Sequence, residues 1–396
     1  YQMARIGMDD WGDLFYDVAQ KCKKGRVLVV LDEISWLGLN DPTFLGKLKT
    51  AWDQHFKQNP QLMMILSGSQ STWIEKNILS SSGFMGRVSY QLTLEELSLA
   101  ECNQFWQPKG DIISPYEKLK LLSVTGGVPR YLEEINPNLS AEENIKKLCF
   151  QAEGLLFNEF DQIFSDLFAK RGEKYKMIVK RLAESTATLD DIAGVFKRSK
   201  GGDISHMLDD LCATGFVTRN YTWDIKRACP AKLSRYRLSD NYVCFYLKYI
   251  APHKNKVLSG VSGFLPPSWL GSMGLQFENL VISKKNRIRL YEILGIPLEE
   301  IIWSNPYFQT KTKQWEGCQI DFMIQTKFGT LYICEIKFRK KEVEKEIIVA
   351  MQQKINRLHL PRNVSIRPVL IHVNGVHDAI IESGYFAHVI DFGTWL

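Results

Sequence analysis

Apolar runs and helical periodicity alternate along the first hundred residues. Short apolar runs cover 26–32 and 61–67, and apolar residues at helical spacing lie near 42–58 between them. This alternation predicts the strands and crossover helix of a parallel α/β sheet. The uninterrupted Val/Leu run in the first strand is typical of a buried strand. The alternating stretch 88–93 ("VSYQLT") predicts a third strand.

The middle of the chain changes to helical patterns. Apolar residues recur every three or four positions over 95–165, which predicts a helical lid beside the sheet. Three further helical segments then precede two strands around 216–222 and 235–239, and Thr188 and Asp191 have capping-box spacing. This order of elements predicts a winged helix-turn-helix.

The last third of the chain predicts a second α/β arrangement. A Gly/Pro/Ser-rich stretch at 259–272 indicates a domain boundary. The elements expected after it are a helix at 274–284, a hairpin of strands 319–324 and 331–338, a helix at 343–358 and a strand at 366–373. The whole pattern predicts a multidomain α/β protein.

Composition narrows the class of protein. A chain of 396 residues is too long for one ordinary core, and 45% hydrophobic with 24% charged residues is typical of a soluble globular protein. No stretch approaches the roughly 18 apolar residues of a membrane span, and acids in the first twenty residues argue against a signal peptide. We therefore expect a cytoplasmic protein with no membrane partner. Eight scattered cysteines without a C-x-x-C pair indicate reduced thiols rather than zinc or disulfide sites.

The net charge of +6 is unevenly distributed. Residues 1–170 carry −5, residues 171–254 carry +7 and residues 255–396 carry +4. A basic C-terminal half suits binding of a phosphate-rich polymer. A solvated surface produces the same distribution, so charge leaves both interpretations open.

Two adjacent acids, Asp32 and Glu33, end the first predicted strand. Ligand groups gather at this edge of α/β sheets, where one carboxylate can hold magnesium against phosphates while its neighbour orients the attacking water. The same dipeptide also occurs for solubility or helix capping. Ser67 and Ser69 follow the second strand, where small hydroxyls can sense a γ-phosphate, and Arg87 precedes the predicted third strand.

In this order, and with Arg130 in the lid, the residues resemble the archaeal-type ATPases, a branch of the AAA+ and related P-loop ATPases. The resemblance extends over the whole chain. It implies a partial ATPase core at 1–94, a helical lid at 95–168, a winged helix at 169–255 and a nuclease-like domain at 256–396. It also implies roles for six residues: Asp32 and Glu33 as the Walker B pair, with Asp32 a metal ligand, Ser69 or Ser67 as the first sensor, and Arg87 and Arg130 as phosphate-sensing arginines. For Arg130 a surface ion pair is the alternative.

The phosphate-binding part of such a site is absent from the sequence. No G-x-x-x-x-G-K-[ST] stretch occurs, and "GKLKT" at 46–50 lacks a Ser or Thr beside its first lysine and follows the Walker B strand. We expect the missing segment to have been removed by truncation or to be encoded separately, in a partner chain. ATP with Mg²⁺ should then bind tightly only when an intact P-loop is supplied. Assembly of the chain into a homo-oligomer is a further expectation that the sequence leaves open.

The predicted winged helix has features both for and against DNA binding. Its third helix, "DISHMLDDL", carries Asp203, Asp209 and Asp210, which are unfavourable in a phosphate-lined groove. Contact with the DNA backbone through turn and wing is one interpretation, and a connector between domains or proteins is the other. The basic residues lie in the turn before the helix and across the wing: Lys197, Arg198, Lys200, Lys226, Arg227, Lys232, Arg235 and Arg237.

The hairpin "GCQIDFMIQTKFGTLYICEIKF" carries the sharpest pattern. With a three-residue loop at 327–329 and its glycine in the left-handed region, Asp321 faces Glu335, and Lys337 shares their side of the strand. Two opposed carboxylates repel each other, and a cation between them removes that cost. Magnesium bound there can activate water at a phosphodiester, with Lys337 orienting the nucleophile or stabilising the transition state.

This D-x13-E-x-K pattern resembles the PD-(D/E)XK nucleases of the restriction-endonuclease-like fold. Two more positions match this family: Glu278 on the preceding helix, and Gln352 or Gln353 on the following one. The sequence departs from the family pattern at Ile320, where a proline is usual. The resemblance implies DNA cleavage with Mg²⁺ or Mn²⁺ held by Asp321 and Glu335, and catalytic roles for Glu278 and Gln353. The competing interpretation is a non-catalytic regulator that binds DNA or protein, its acids neutralised by Lys337, Arg339 and Lys340.

Overall fold

A computed structural model describes residues 10–38, 41–69, 71–168, 171–196, 202–261, 263–313 and 315–396. The chain forms two compact units, Tyr1–Leu94 and Glu95–Leu396. The two predicted boundaries inside the second unit, at 168/169 and 255/256, remain predictions. Within the described ranges, no helix combines the length and apolar character that crossing a bilayer requires. All eight cysteines are free.

The first unit is a small α/β structure. Its elements in order are α1 (Trp11–Lys21), β1 (Val27–Leu31), α2 (Ile34–Leu37), α3 (Phe44–Gln54), β2 (Leu62–Leu66) and α4 (Ser71–Ile74), which continues as a π-helical turn at Glu75–Leu79. Strands β1 and β2 pair in parallel, from Val27 opposite Leu62 to Leu31 opposite Leu66. The predicted pair of strands with a helix between them is confirmed.

Among the described residues, helices α1 and α3 cover one face of this sheet. Val29 and Met64 pack against a core that contains Phe15 of α1 and Phe44 of α3. The first strand is not buried as expected, because alternate residues of both strands point away from the helices. The exposed side chains, with their exposed fractions, are Leu28 (60%), Val30 (52%), Met63 (62%) and Ile65 (41%).

The predicted third strand at 88–93 does not form. Residues 88–98 have no regular secondary structure, and Tyr90, Leu92 and Leu94 are 65–87% exposed. An alternating apolar pattern favours a strand only where a neighbouring strand supplies hydrogen-bond partners. Among the described residues, β2 pairs with β1 only.

The second unit begins with helices and a two-stranded sheet. Five helices occupy the stretch predicted to be helical, and the three helices and two antiparallel strands that follow confirm the predicted order of elements. They are α5 (Leu99–Asn103), α6 (Pro115–Thr125), α7 (Pro129–Leu132), α8 (Ala141–Cys149), α9 (Leu155–Phe168), α10 (Gly172–Glu184), α11 (Leu189–Val195), α12 (Gly202–Ala213), β3 (Val217–Asp224) and β4 (Cys229–Leu238).

Side-chain caps begin several of these helices. The predicted capping box of Thr188 and Asp191 is present at α11, where the threonine hydroxyl accepts from the Asp191 N–H at 3.2 Å. A further backbone bridge joins Ala187 to Tyr236 of β4. The arrangement of α10–α12 with β3 and β4 is the one that led to the winged-helix interpretation, which stays a prediction.

The remaining elements form a five-stranded sheet with flanking helices. They are α13 (Asn241–Phe245), α14 (Lys254–Leu258), α15 (Gly274–Val281), α16 (Lys284–Ile293), β5 (Ile301–Gln309), β6 (Cys318–Thr326), β7 (Thr330–Lys337), α17 (Glu346–Arg357), β8 (Ser365–His372), α18 (Asp378–Glu382) and β9 (His388–Asp391). The strand order is β5-β6-β7-β8-β9, antiparallel up to β7 and parallel from β7 onward. The sequence pattern predicted α15, the hairpin, α17 and β8, whereas α16, β5, α18 and β9 were not predicted.

Two hydrophobic clusters lie in the second unit. The smaller one contains Trp223 of β3 and Met351 of α17, and the larger one extends from the helices to the five-stranded sheet. It includes Phe157 of α9, Leu208 of α12, Phe277 of α15 and Val369 of β8. The Gly/Pro/Ser-rich stretch expected to be a boundary contributes buried Trp269 to the same core. Residues 95–168, the three helices that follow and the five-stranded sheet therefore share this core, which supports the strands that carry the acids.

Candidate functional site

The hairpin of β6 and β7 has the predicted register. The paired residues run from Gln325 opposite Leu331 to Phe322 opposite Cys334, and Gly329 in the loop has a left-handed φ of 73°. Asp321 and Glu335 lie one residue beyond the last pair of this ladder. The Asp321 carboxylate accepts the Ile336 N–H at 2.9 Å, which fixes it across the strand gap from Glu335.

Two lysines converge on the acids. The Lys337 Nζ lies 2.6 Å from one carboxylate oxygen of Glu335, and the Lys354 Nζ lies 2.5 Å from the other. Lys354 also lies 3.5 Å from Asp321 Oδ1. The Glu335 side chain is only 3% exposed, so these two cations replace the water that a carboxylate would otherwise bind.

The electrostatics of the two acids differ. Burial raises the pKa of Glu335, but the nearby ammonium groups of Lys337 and Lys354 outweigh it and hold the pKa below its ordinary value. Burial also raises the pKa of Asp321, the negative charge of Glu335 raises it further, and the lysines only partly oppose this. The pair therefore consists of a readily ionised Glu335 and an Asp321 whose charged form is disfavoured.

Glu278 on α15 belongs to the same neighbourhood. Burial raises its pKa, the Arg237 guanidinium opposes this, and the charge of Asp321 raises it again. Arg237 of β4 lies 3.0 Å from the Glu278 carboxylate and also donates to Asn279 Oδ1 at 2.6 Å and to the Leu275 carbonyl at 3.0 Å. A third carboxylate is thus held beside the acids of the hairpin by an arginine from another sheet.

The other predicted member, Gln353, lies on the same helix as Lys354 but lines a neighbouring cavity with Trp315 and Arg357. The helix therefore presents a lysine to the acids where a glutamine was expected. The helical period of α17 already indicated that Lys354 faces inward. It follows Ile347 and Met351, which are four residues apart, by a further three residues on the same face. No comparable pattern marks Arg237, since the residues on both sides of it in β4 are buried too.

The donor set fits a hard divalent cation. Mg²⁺ in phosphate-binding sites takes one or two carboxylates, and water and phosphate oxygens complete its octahedron. Asp321 and Glu335 supply such a pair, provided that Lys354 moves away from the oxygens it now contacts. Across the described part of the chain, no three His, Cys, Asp or Glu side chains are grouped so that they could hold a metal ion on their own.

The acids after β1 form a second polar cluster. Ser67 donates to Asp32 Oδ1 at 2.6 Å, and the Ser69 N–H and hydroxyl donate to the Glu33 carboxylate at 3.1–3.3 Å. Glu33 has a left-handed φ of 47°, a conformation that costs a non-glycine residue energy. The structure therefore brings both predicted acids together with both predicted hydroxyls, in a backbone conformation that is common at functional sites.

The two predicted arginines have other partners. Arg87 makes a bidentate pair with Asp53 of α3, at 2.7 and 3.0 Å, and donates to the Gly83 carbonyl. Arg130 lies in the second unit, where its 57%-exposed side chain pairs with Glu134 at 2.7 Å. That geometry is the surface ion pair named as its alternative, while the phosphate-sensing role of Arg87 stays a prediction.

The basic residues of the predicted turn and wing lie in different environments. Lys226 and Arg227 are exposed in the turn between β3 and β4, whereas Lys197, Arg198 and Lys200 lie outside the described residues. Arg235 lies over the Phe308 ring at 4.8 Å. The expectation that Arg237 is a surface cation for DNA is wrong, because it is 3% exposed and committed to Glu278.

The two strands β3 and β4 pack against the edge strand β5. Thr222 donates to the Phe308 carbonyl at 2.8 Å, and Trp223 Nε1 donates to Gln325 Oε1 at 2.6 Å. Trp223 also stacks on Trp303 with ring centroids 5.8 Å apart. One side of the predicted wing is therefore used to attach it to the sheet that carries the acids.

Comparisons with known proteins give distant similarities. No family model matches the chain. An uncharacterised protein of Methanocaldococcus jannaschii is 24% identical over 294 residues, which is 74% of this chain and 63% of that protein. The chain thus spans less than two thirds of the length of this relative.

Two solved structures are also similar. A Walker-type ATPase of Pyrococcus abyssi matches with a TM-score of 0.44 and 15% identity, over 63% of this chain and 72% of the other. A protein from Vibrio cholerae matches with a TM-score of 0.24 and 11% identity, over 63% of this chain and 56% of the other.

Proposed function

We propose that the second unit cleaves DNA phosphodiester bonds with the help of a divalent cation at Asp321, Glu335 and Lys337. The observation that carries the proposal is the convergence of two carboxylates and two lysines on one buried edge of the hairpin, with Glu278 beside them. Buried like charges are costly in the resting protein, and a cation that binds between them recovers that cost.

The residues have separable roles. Asp321 and Glu335 would hold Mg²⁺ or Mn²⁺, which when bound supplies a water of lowered pKa and neutralises charge on the phosphate. Lys337 and Lys354, whose ammonium groups now contact Glu335, would donate to phosphate oxygens once the carboxylate is shared with a cation. Arg237 holds Glu278 in place, and the basic residues of the C-terminal half attract the polymer.

Cleavage of plasmid and oligonucleotide DNA in Mg²⁺ or Mn²⁺ tests this proposal. The chain should cleave, while Asp321→Asn and Lys337→Ala should lose activity by at least about a hundredfold, as when a transition-state donor is removed. The matched controls are Asp378→Asn and Lys341→Ala, which change exposed residues of the same unit. Unchanged cleavage by Asp321→Asn would place the activity elsewhere.

The second candidate function is a non-catalytic DNA- or protein-binding regulator. It is favoured by one observation: the charges of Lys337 and Lys354 balance those of Asp321 and Glu335 without a metal. A chain that binds DNA but cleaves nothing in Mg²⁺ or Mn²⁺ would establish this alternative and reject the nuclease.

For the first unit we propose half of an ATP site. Asp32 and Glu33, held by Ser67 and Ser69, would bind Mg²⁺ and orient water, and the phosphate cradle would come from another segment. ATP should bind orders of magnitude more tightly to a longer chain that carries an upstream P-loop. Asp32→Asn in that longer chain should abolish hydrolysis. Equal, weak binding by both chains would mean that the site is degenerate.

A further inference from the structure

A cavity of about 390 Å³ opens beside the acid cluster, between the C-terminal half of α17 and the loop that leads into β6. Its lining is aromatic and polar: Trp315, Glu316, Gln353, Asn356 and Arg357. None of these residues contributes to the carboxylate–lysine cluster described above.

Trp315 is presented to this cavity in a defined position. Its N–H donates to the Thr312 hydroxyl at 3.0 Å, and its carbonyl accepts the Thr312 N–H at 2.9 Å. The ring packs at 4.2 Å from the His359 ring but remains 42% exposed. A large aromatic surface that is held still and left accessible can accept a flat ligand at little entropic cost.

The polar lining adds hydrogen-bonding groups around that surface. Gln353 and Asn356 are exposed amides, which donate and accept, and Arg357 is held by Glu316 at 3.0 Å. Lys311 and Lys313 precede the tryptophan in the same loop, and both are exposed. An aromatic platform with neighbouring cations is the arrangement by which proteins bind unpaired bases and the attached backbone.

The cavity lies within reach of a strand that occupies the acid cluster. Gln353 lines the cavity, and the next residue, Lys354, contacts Glu335. The Cys318 thiol contacts the Lys354 carbonyl at 3.3 Å, and Asp321 is three residues further along β6. Three residues of strand span about 10 Å, so the same nucleic-acid strand can engage both places.

We propose that this cavity binds an unpaired base of single-stranded DNA by stacking on Trp315, with Gln353 and Asn356 contacting the edge of the base. This inference rests on the proposed function and specifies its substrate as a strand with at least one unpaired nucleotide near the scissile phosphate.

Fluorescence anisotropy of a labelled fifteen-nucleotide oligothymidine, measured in EDTA, tests the inference without any cleavage. Trp315→Ala should raise the Kd for this strand roughly fivefold to a hundredfold, the range for loss of one base–aromatic stack. Trp315→Phe should keep most of the affinity. Phe328→Ala removes another exposed aromatic at the far end of β6 and should change nothing.

Binding of a blunt duplex of the same length distinguishes base stacking from attraction to the charged backbone. Its affinity should be the same for Trp315→Ala and the unchanged chain, because paired bases cannot enter the cavity. Equal losses for strand and duplex, or no loss for either, would overturn the inference. These outcomes are measured without cleavage, so they are independent of the cleavage results that test the nuclease proposal.

Discussion

Arg237 is a buried cation whose three partners lie on a helix about forty residues further along the chain. It connects β4 to the helix that carries Glu278, and its guanidinium is almost completely shielded from water. Arginine is usually exposed, but this one is buried and connects two elements of the second unit.

We expect Arg237→Ala to destabilise the second unit by about 3 kcal/mol, because Glu278 is left as an uncompensated, mostly buried charge. Thermal unfolding should show this as a lower Tm. The double variant Arg237→Ala/Glu278→Gln should recover part of the loss, since the orphaned charge is removed. Equal destabilisation by the single and double variants would contradict a charge-based role.

Glu101 has a pH-dependent role at the start of α5. The Ser98 N–H, at 2.6 Å, and the Lys285 ammonium, at 3.0 Å, lower its pKa to about 2. Because this pKa lies below the ordinary value of 4.5, the carboxylate stabilises the folded protein fully above pH 4.5, and the effect is lost as the pH falls toward 2.

Glu101→Gln should therefore lower the Tm at pH 7, and the difference from the unchanged chain should shrink steadily below pH 4.5. Thermal unfolding from pH 7 to 3 measures this. Glu299→Gln, a change at an exposed acid of the same unit, is the control. A deficit that stays constant with pH would mean that the capping geometry, and not the charge, is responsible.

Among the elements, β3 is notable because it joins two sheets. Trp223 is 2% exposed, and its indole N–H is matched to Gln325, whose amide in turn donates to the Ile225 carbonyl at 2.9 Å. Backbone and side-chain contacts thus attach the predicted wing to the hairpin sheet, which limits the side of the wing that DNA can approach.

Trp223→Phe should cost about 1–3 kcal/mol, because a buried amide oxygen loses its donor while most of the ring contact is kept. Hydrogen–deuterium exchange should become faster over 217–238. Tyr221→Phe, on the same strand with a 38%-exposed ring, should leave exchange unchanged. No difference between the two variants would show that this hydrogen bond does not hold the strands on the sheet.

At the scale of the whole molecule, the chain consists of two units with separate hydrophobic cores. The boundary is preceded by residues 88–94, which carry exposed apolar side chains and no regular secondary structure. Exposed segments of this kind are the preferred sites of proteolysis.

Limited chymotrypsin digestion should cut first after Tyr90, Leu92 or Leu94, leaving a stable fragment that corresponds to the second unit. The triple variant Tyr90→Ser/Leu92→Ser/Leu94→Ser should slow this first cut without changing the Tm, since the three side chains are exposed. First cleavage inside the five-stranded sheet would contradict the division. Mass spectrometry of the early fragments distinguishes the outcomes.

Local patterns in the sequence determined much of the fold and of the acid cluster. The period of two in β6 and β7 and the glycine of their loop predicted the register that places Asp321 beside Glu335, because a hairpin register depends on residues close in the chain. Capping boxes and helical periodicity located α11 and α17 for the same reason. The association of Asp32 and Glu33 with the two serines also follows from adjacent strand ends.

Only the tertiary structure decided which distant residues meet. Arg237 reaches Glu278, and β3 packs against β5, through contacts that no local period encodes. The period of α17 places Lys354 on its inward face, but only the packing of that helix brings the lysine to Glu335. The same reason explains the failed strand at 88–93, whose pattern lacks a neighbour, and the open face of β1 and β2. Whether a segment forms a strand, and which of its faces is buried, depends on the neighbouring elements as well as on its own residues.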